Sequence, residues 1–158
     1  MRTGLVVVSS TRASQGVYED TSGPVAVDFL RAQGFDTPEA LVVSDHDLPA
    51  TIDEIFTRAE LPSVLLTSGG TGLSPDDRTV EIVSPYIERE IPGLVHAFWQ
   101  EGLKNTPMAV VSRALAGTRG RTFVMTLPGS RGGVKDGCAV LAPVLNHIID
   151  SLEGHHGH

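Results

Sequence analysis

Cysteine and aromatic residues are scarce in this chain of 158 residues. The single cysteine, Cys138, cannot form an internal disulfide or a cysteine-based zinc cluster, and a reducing, cytoplasmic compartment is expected. Aromatic residues make up 5% of the sequence, whereas hydrophobic residues together make up 41%. The composition therefore predicts one globular domain with an aliphatic core of Val, Leu, Ile and Ala.

Positive charge and long hydrophobic runs are lacking as well. Twelve basic against nineteen acidic side chains give a net charge of -7, which argues against nucleic-acid or anionic-membrane partners. No run approaches the roughly 18 apolar residues of a membrane span. The first apolar run, residues 5–8, is too short for a signal peptide. A soluble protein is expected.

The pattern along the chain alternates between strands and helices. Apolar, mostly β-branched runs predict strands at 5–8, 41–43, 63–67 and 122–127. Helical spacing lies between them, as in Ile52, Ile55, Phe56 and Ala59. This alternation predicts an α/β fold with a mostly parallel sheet covered on both faces. One domain, 1–153, and a flexible His/Gly tail, 154–158, are expected.

Loops after parallel strands mark the place where a ligand would bind. In open α/β sheets, ligands bind beyond the carboxyl ends of the strands. Four loops follow the predicted strands, at 9–18, 44–47, 68–78 and 128–133. We expect these loops to meet at one rim of the sheet.

The segment Thr-Ser-Gly-Gly-Thr-Gly at 67–72 is the most informative of these loops. Its glycines and small hydroxyls allow the backbone to approach a ligand closely, with amide groups directed at phosphate oxygens. It is neither a P-loop nor the dinucleotide-binding G-x-G-x-x-G motif. The alternative is a tight strand-to-helix turn for which glycine is merely permissive.

Two aspartates in these loops are candidate catalytic residues. Asp77 has a structural alternative, because Ser74-x-x-Asp77 has the spacing of a capping box. Asp45 has the alternative of a solvated loop residue. A carboxylate beside a phosphate-binding loop is repulsive unless a cation lies between them, and magnesium, with its preference for oxygen ligands, would resolve the conflict.

The stretch from 105 to 135 carries basic residues and no Asp or Glu. In an acidic chain this distribution suggests a place for an anion. Its basic residues are Arg113, Arg119, Arg121, Arg131 and Lys135. Arg119 and Arg121 have the alternative of ordinary turn residues. Arg131 and Lys135 fall at a predicted helix N-terminus, where a bound anion is favoured.

The motifs together resemble the Mog/MoaB family of molybdenum cofactor biosynthesis and the related G domain of gephyrin. The resemblance covers essentially the whole chain and is carried by SSTRASQGVYED at 9–20, TSGGTG at 67–72, Asp77-x-Thr79, Ile-Pro-Gly at 91–93, Ser112-Arg113 and Leu-Pro-Gly-Ser at 127–130. It implies a three-layer α/β/α molybdopterin-binding (MogA-like) fold in a trimer or hexamer. It also implies contact with the molybdenum insertase.

The resemblance further implies a molybdopterin adenylyltransferase, which transfers AMP from ATP to the terminal phosphate of molybdopterin with magnesium. Asp45 and Asp77 match the catalytic aspartates, and they are expected to hold Mg²⁺ directly or through water. The implied substrate- and nucleotide-binding residues are Ser9, Arg12, Ser68, Gly69, Gly70, Thr71, Gly72, Ser112, Pro128, Gly129, Ser130 and Arg131.

Two positions depart from the family pattern. Thr11 stands where an Asp often precedes the arginine that Arg12 matches, and Arg131 stands where many members have Pro after the Leu-Pro-Gly-Ser motif. The first departure bears on the polar contacts of the first loop, and the second would enlarge or redirect an anion pocket. The alternative function is a non-catalytic paralogue that binds molybdopterin or a pathway partner.

Overall fold

A mixed sheet forms the centre of the computed structural model, which describes residues 1–16 and 19–155. Within these ranges the sheet has six strands in the order β2-β1-β3-β6-β5-β4. The strands are β1 Gly4–Ser9, β2 Leu41–Val43, β3 Val64–Ser68, β4 Arg89–Glu90, β5 Ala116–Arg119 and β6 Thr122–Leu127. β2, β1, β3 and β6 are parallel to their neighbours in that run, whereas β5 and β4 add an antiparallel edge.

Helices flank the sheet on both faces. They are α1 Thr11–Ser14, α2 Ser22–Ala32, α3 Leu48–Phe56, α4 Thr79–Val83, α5 Pro92–Leu103, α6 Arg131–Leu141 and α7 Leu145–Leu152. Two 3₁₀ segments, Ser84–Tyr86 and Pro107–Val111, follow α4 and α5. α3 ends at Phe56, before Ala59, and the chain restarts as α7 after Pro143, which cannot donate to a continuing helix.

Two hydrophobic clusters separate the molecule into three layers. Alternate residues of β1 point to opposite faces of the sheet, so Val6 belongs to the cluster that includes α2, α5, α6 and α7, while Val7 belongs to the cluster that includes α3 and α4. Both faces are thus covered by helices, as buried parallel strands require. The predicted three-layer α/β/α architecture and the four predicted strands are confirmed.

Three further predictions concern membrane helices, the C-terminal tail and the number of domains. No helix in 1–16 or 19–155 is long and apolar enough to cross a bilayer. The predicted flexible tail falls largely on 156–158, which lie outside the described residues, as do positions 17 and 18 of the first loop. The assignment of 1–153 to one domain stays a prediction.

Candidate functional site

A cavity of about 690 Å³ lies where the parallel strands end. Ten of the predicted site residues line it, namely Ser9, Gly69, Gly70, Thr71, Gly72, Asp77, Ser112, Pro128, Gly129 and Ser130. They come from the loops after β1, β3 and β6 and from the segment before β5. The prediction that loops after parallel strands meet at one rim is therefore confirmed for the first, third and fourth of the four loops.

The loop after β3 requires glycine at two adjacent positions. Gly69 and Gly70 have φ values of 99° and 73°, the left-handed region that L side chains rarely adopt. A Cβ atom on Gly69 would lie 2.4 Å from the carbonyl oxygen of Ser9, and one on Gly70 would lie 2.1 Å from Oγ1 of Thr79. Glycine here both shapes the turn and allows the loops to approach one another at the cavity.

Ser68 lies beneath this loop rather than on the cavity wall. It is 1% exposed, its hydroxyl donates to the Pro128 carbonyl at 3.0 Å, and its Oγ lies 2.9 Å from Oγ of Ser22. These bonds join α2 to the loops after β3 and β6. Ser68 thus positions two binding loops, and its expected contact with substrate stays a prediction.

Asp77 lines the cavity and is fixed by a local turn. Its Oδ2 accepts a hydrogen bond from the Ser74 amide at 3.0 Å, and the Asp77 amide donates to the Ser74 carbonyl at 2.9 Å. The bond from the Ser74 amide to Asp77 is the one that the capping-box spacing predicts, but it closes a turn and does not cap a helix, because α4 begins only at Thr79. The side chain is half-buried beside Gly72.

Asp45 does not line the cavity but contacts Ser9, a residue that does. It is half-buried, and its Oδ1 accepts a hydrogen bond at 2.8 Å from the hydroxyl of Ser9, which does line the cavity. The Asp45 amide donates to Oγ1 of Thr11 at 3.0 Å, so the threonine at this departure from the family pattern supports the second loop. The two predicted catalytic aspartates are therefore not equivalent in position.

Arg113 is the first basic residue of the stretch 105–135. It holds together the loop after β3, residues 69–78, which we call the glycine loop. Its Nε donates to the Gly72 carbonyl at 2.9 Å, and its Nη2 donates to the Asp77 carbonyl at 3.0 Å. Its guanidinium also pairs with Glu81, which lowers the pKa of that carboxyl and raises the pKa of Arg113. Arg113 therefore fixes the shape of the loop without lining the cavity itself.

The other basic residues of the stretch 105–135 and Arg12 do not line the cavity. Arg119 donates to the Tyr86 carbonyl at 3.2 Å and lies over the Tyr86 ring, which favours its alternative interpretation as a turn residue. Arg131 and Lys135 are exposed on α6 and Arg12 is exposed on α1, outside the set of lining residues. In the described part of the chain, the cavity wall includes three carboxylates and neither lysine nor arginine. Anion binding by Arg12 and Arg131 stays a prediction.

Ser112 is placed by contacts on both sides. Its carbonyl accepts from the Trp99 indole at 2.9 Å, and its hydroxyl lies 3.2 Å from Oγ1 of Thr71. Trp99 is partly buried against the larger core cluster. The tryptophan therefore joins the core to the cavity wall beside Thr71, and the expected contact of Ser112 with substrate stays a prediction.

Two further carboxylates on the wall were not among the predicted site residues. Asp20 accepts hydrogen bonds from the amides of Ser22 and Gly23 and from the Ser22 hydroxyl, at 3.0–3.2 Å, and so caps the start of α2. Its place directly before the Thr-Ser-Gly-Pro helix start was the signal that could have found it. Asp136 lies inside α6, where the sequence offered no signal, because only the packing of α5 against α6 brings it to the cavity.

Residues 5–147 match the family model described as a probable molybdopterin binding domain. The chain belongs to this family. Its structure is similar to that of the Mog protein of molybdopterin biosynthesis from Mycobacterium ulcerans, with a TM-score of 0.88 and 38% identity over 96% of this chain and 99% of the other.

Relatives of this molybdopterin-binding domain are proteins of molybdenum cofactor biosynthesis. The chain is 33% identical to a molybdenum cofactor biosynthesis bifunctional protein of Chlorobaculum tepidum, covering 97% of this chain and 49% of that protein. It is 32% identical to molybdenum cofactor biosynthesis protein B of Staphylococcus carnosus, over 94% and 88%. It is 27% identical to a molybdopterin adenylyltransferase of Helicobacter pylori, over 96% and 88%. The chain spans about half or less of the first relatives it matches.

Proposed function

We propose that this domain transfers AMP from Mg-ATP to the terminal phosphate of molybdopterin and releases pyrophosphate. The observation that carries the proposal is the composition of the cavity wall. Loops of small residues, which leave the backbone accessible, surround Asp77. Among the described residues that line the wall there is no lysine or arginine. Carboxylates facing phosphates require a cation between them, and a bound Mg-nucleotide brings that cation with it.

The residues on the wall fit magnesium by their donor chemistry. Asp20 and Asp77 offer carboxylate oxygens, and Ser9 and Thr71 offer hydroxyl oxygens, which are the hard ligands that magnesium prefers. No group of three or more His, Cys, Asp or Glu residues suited to a metal occurs in 1–16 and 19–155. Magnesium in nucleotide sites is typically held by one or two carboxylates together with the phosphates. Asp77 would hold it directly, and Asp45 through water or through Ser9.

The chemistry required of the chain itself is positioning. The second pKa of a phosphate monoester is about 6, so the attacking phosphate of molybdopterin is already ionised and no general base is needed. The difficulty is to bring two anions together in line. Amides and hydroxyls of residues 70–72, 129 and 130 orient the phosphates, and Asp77 keeps its orientation through Ser74. When bound, magnesium neutralises charge on the transferred phosphoryl group.

The substitution Asp77→Asn tests this proposal directly. Asparagine retains an oxygen that can accept from the Ser74 amide, so the turn is preserved while the charge is lost. We expect AMP transfer to fall by at least about 100-fold, the scale of losing one electrostatic partner of the transition state. Molybdopterin affinity should stay nearly unchanged, and more magnesium should be needed for half-maximal rate. Formation of adenylylated product from molybdopterin and Mg-ATP is the measurement.

A neighbouring aspartate provides the matched control. Asp76 is exposed and lies outside the cavity wall, so Asp76→Asn makes the same change of charge and should keep the rate of the unmodified protein. Near-normal turnover by Asp77→Asn with a lowered Tm would leave Asp77 a structural turn residue only. Binding of molybdopterin by the unmodified protein without any product would replace the transferase by the alternative binding function.

We also infer a protein partner in the same pathway. The bifunctional relative is about twice as long as this chain, and it is a bifunctional protein of molybdenum cofactor biosynthesis. A protein that performs a neighbouring step, such as the molybdenum insertase, is therefore the expected partner.

A further inference from the structure

Thr79 is a buried residue whose hydroxyl group has no hydrogen-bond partner among residues 1–16 and 19–155. The residue is 1% exposed and begins α4, directly after the glycine loop. A buried hydroxyl without a partner costs free energy, and valine has nearly the same shape without that cost. In the described ranges one other buried side chain, Thr67 on β3, has an unpartnered hydroxyl. Thr79 differs from Thr67 in what its hydroxyl contacts.

The hydroxyl of Thr79 lies against Gly70 of the glycine loop. The Thr79 amide donates to the Gly70 carbonyl at 3.1 Å. A Cβ atom on Gly70 would lie 2.1 Å from Oγ1 of Thr79, so the hydroxyl faces a Cα–H bond of this glycine. A Cα–H group is at most a weak donor and offers no acceptor for the hydroxyl proton. The hydroxyl is therefore directed at the loop without being bonded to it.

Gly70 can change its backbone conformation at little cost. Its φ value is 73° and that of Gly69 is 99°, and glycine populates positive and negative φ about equally readily. The loop is anchored on both sides of this pair. The Gly69 amide donates to the Leu127 carbonyl, and the Arg113 amide donates to the Thr71 carbonyl, both at 2.9 Å. A rotation within the two glycines can therefore redirect the Gly70 carbonyl between two fixed points.

We propose that ligand binding turns Gly70 so that its carbonyl accepts a hydrogen bond from the Thr79 hydroxyl. Thr79 lies outside the cavity wall, so it is a positioning residue for the bound form of the glycine loop. A carbonyl has two lone pairs and can accept from the amide and the hydroxyl of Thr79 together. The unpaired hydroxyl disfavours the free form, and its pairing favours the bound form. The inference rests on the proposed function, in which this loop orients substrate phosphates.

Amide hydrogen exchange identifies the ligand that acts on the loop. Mg-ATP and molybdopterin are added separately to the unmodified protein, and exchange is followed at the amides of residues 70–72. We expect at least one of the two ligands to slow exchange there, because a loop with a bound ligand opens less often. The Kd of that ligand is then measured for each variant by equilibrium titration, without turnover.

Two substitutions at Thr79 separate the hydroxyl from the methyl group. Thr79→Val removes the hydroxyl, so the Tm of the free protein should rise by about 2–4 °C. The same variant should bind the ligand about fivefold less tightly, the effect of losing one hydrogen bond. Thr79→Ser keeps the hydroxyl, so its Kd should stay within about twofold of that of the unmodified protein, although its Tm falls through the lost methyl group. A role in stability alone would leave both Kd values unchanged.

Thr67→Val provides the matched control. Thr67 is also 1% exposed, but it lies within β3, where it is paired with Val7 and Thr126, and outside the cavity wall. Removing its unpartnered hydroxyl should raise the Tm by a similar amount and leave the Kd unchanged.

Each other outcome overturns the inference. Unchanged Kd for Thr79→Val, an equal loss of affinity in Thr79→Ser, or exchange that neither ligand slows would remove the hydroxyl from the bound form of the loop. A lower Tm for Thr79→Val would mean that the hydroxyl is already bonded in the free protein. Binding without AMP transfer by the unmodified protein would count against the proposed function alone, because the readouts are binding and stability. Binding of neither ligand would overturn both.

Discussion

Asp136 is expected to lower the stability of the free protein at neutral pH. Its pKa is raised in the folded state, chiefly by burial, from an ordinary value of 3.8. The folded protein thus binds this proton more tightly than the unfolded chain does, and stability falls as pH rises from 3.8 through the raised value. Asparagine removes the cost of a buried charge and can still contact Asn105.

Thermal unfolding checks this expectation. The variant Asp136→Asn should have a higher Tm than the unmodified protein at pH 7, and the difference should vanish below pH 3.8, where the aspartate is protonated in both states. A lower Tm at pH 7 would mean that the bond to Asn105 supports the fold.

At the scale of elements, the glycine loop is held by Arg113, a residue that lies outside the loop. Arg113 donates to the carbonyls of Gly72 and Asp77 and pairs with Glu81, so one planar guanidinium joins the middle and the end of the loop to α4. A lysine ammonium has no planar fork and cannot reproduce this set of contacts. Both charged side chains are partly exposed, so little global stability is at stake.

The substitution Arg113→Lys should therefore loosen the loop more than the fold. We expect faster amide hydrogen exchange in residues 70–78, a fall in AMP transfer of about tenfold, and a Tm within a few degrees of the unmodified protein's. Arg58→Lys is the control, because Arg58, just beyond the end of α3, makes a similar forked pair with Glu54 away from the cavity. Unchanged exchange in the loop would show that these contacts of Arg113 are dispensable.

Elements differ in how far the sequence alone could predict them. The runs that became β1, β3 and β6 were found because strands buried on both faces must be continuously apolar. β4, with two exposed residues, and β5, with the sequence Ala-Gly-Thr-Arg, carry no such run and exist through pairing with each other and with β6. The antiparallel edge could therefore not be predicted.

The site shows the same division. The carboxyl-end rule located the loops, and the motifs located most of the wall, because both depend on local sequence. The direction of individual side chains depends on packing. Ser68 turns inward to Pro128, Asp45 reaches the cavity only through Ser9, and Asp136 enters it from a neighbouring helix.

At the scale of the whole molecule, apolar side chains are exposed next to the cavity. Leu103 is 47% exposed, Met108 68%, Val110 51% and Val111 43%, all at the end of α5 and in the 3₁₀ segment after it. Met108 and Val111 also line the cavity. Contiguous apolar surface of this kind typically marks an interface, and the resemblance to Mog and MoaB implies a trimer or hexamer.

We therefore predict three or six copies per particle by multi-angle light scattering at micromolar concentration. Val110→Asp places a charge in the patch without altering the cavity wall, and it should shift the particle toward the monomer because burying an unpaired carboxylate is costly. Leu73→Asp is the control, since Leu73 is 73% exposed and lies in a different segment. A monomeric unmodified protein would contradict the assembly, and an intact oligomer of Val110→Asp would place the interface elsewhere. If Val110→Asp becomes monomeric and also binds molybdopterin less tightly, the neighbouring copy supports the cavity, whereas unchanged binding would make each copy's cavity self-sufficient.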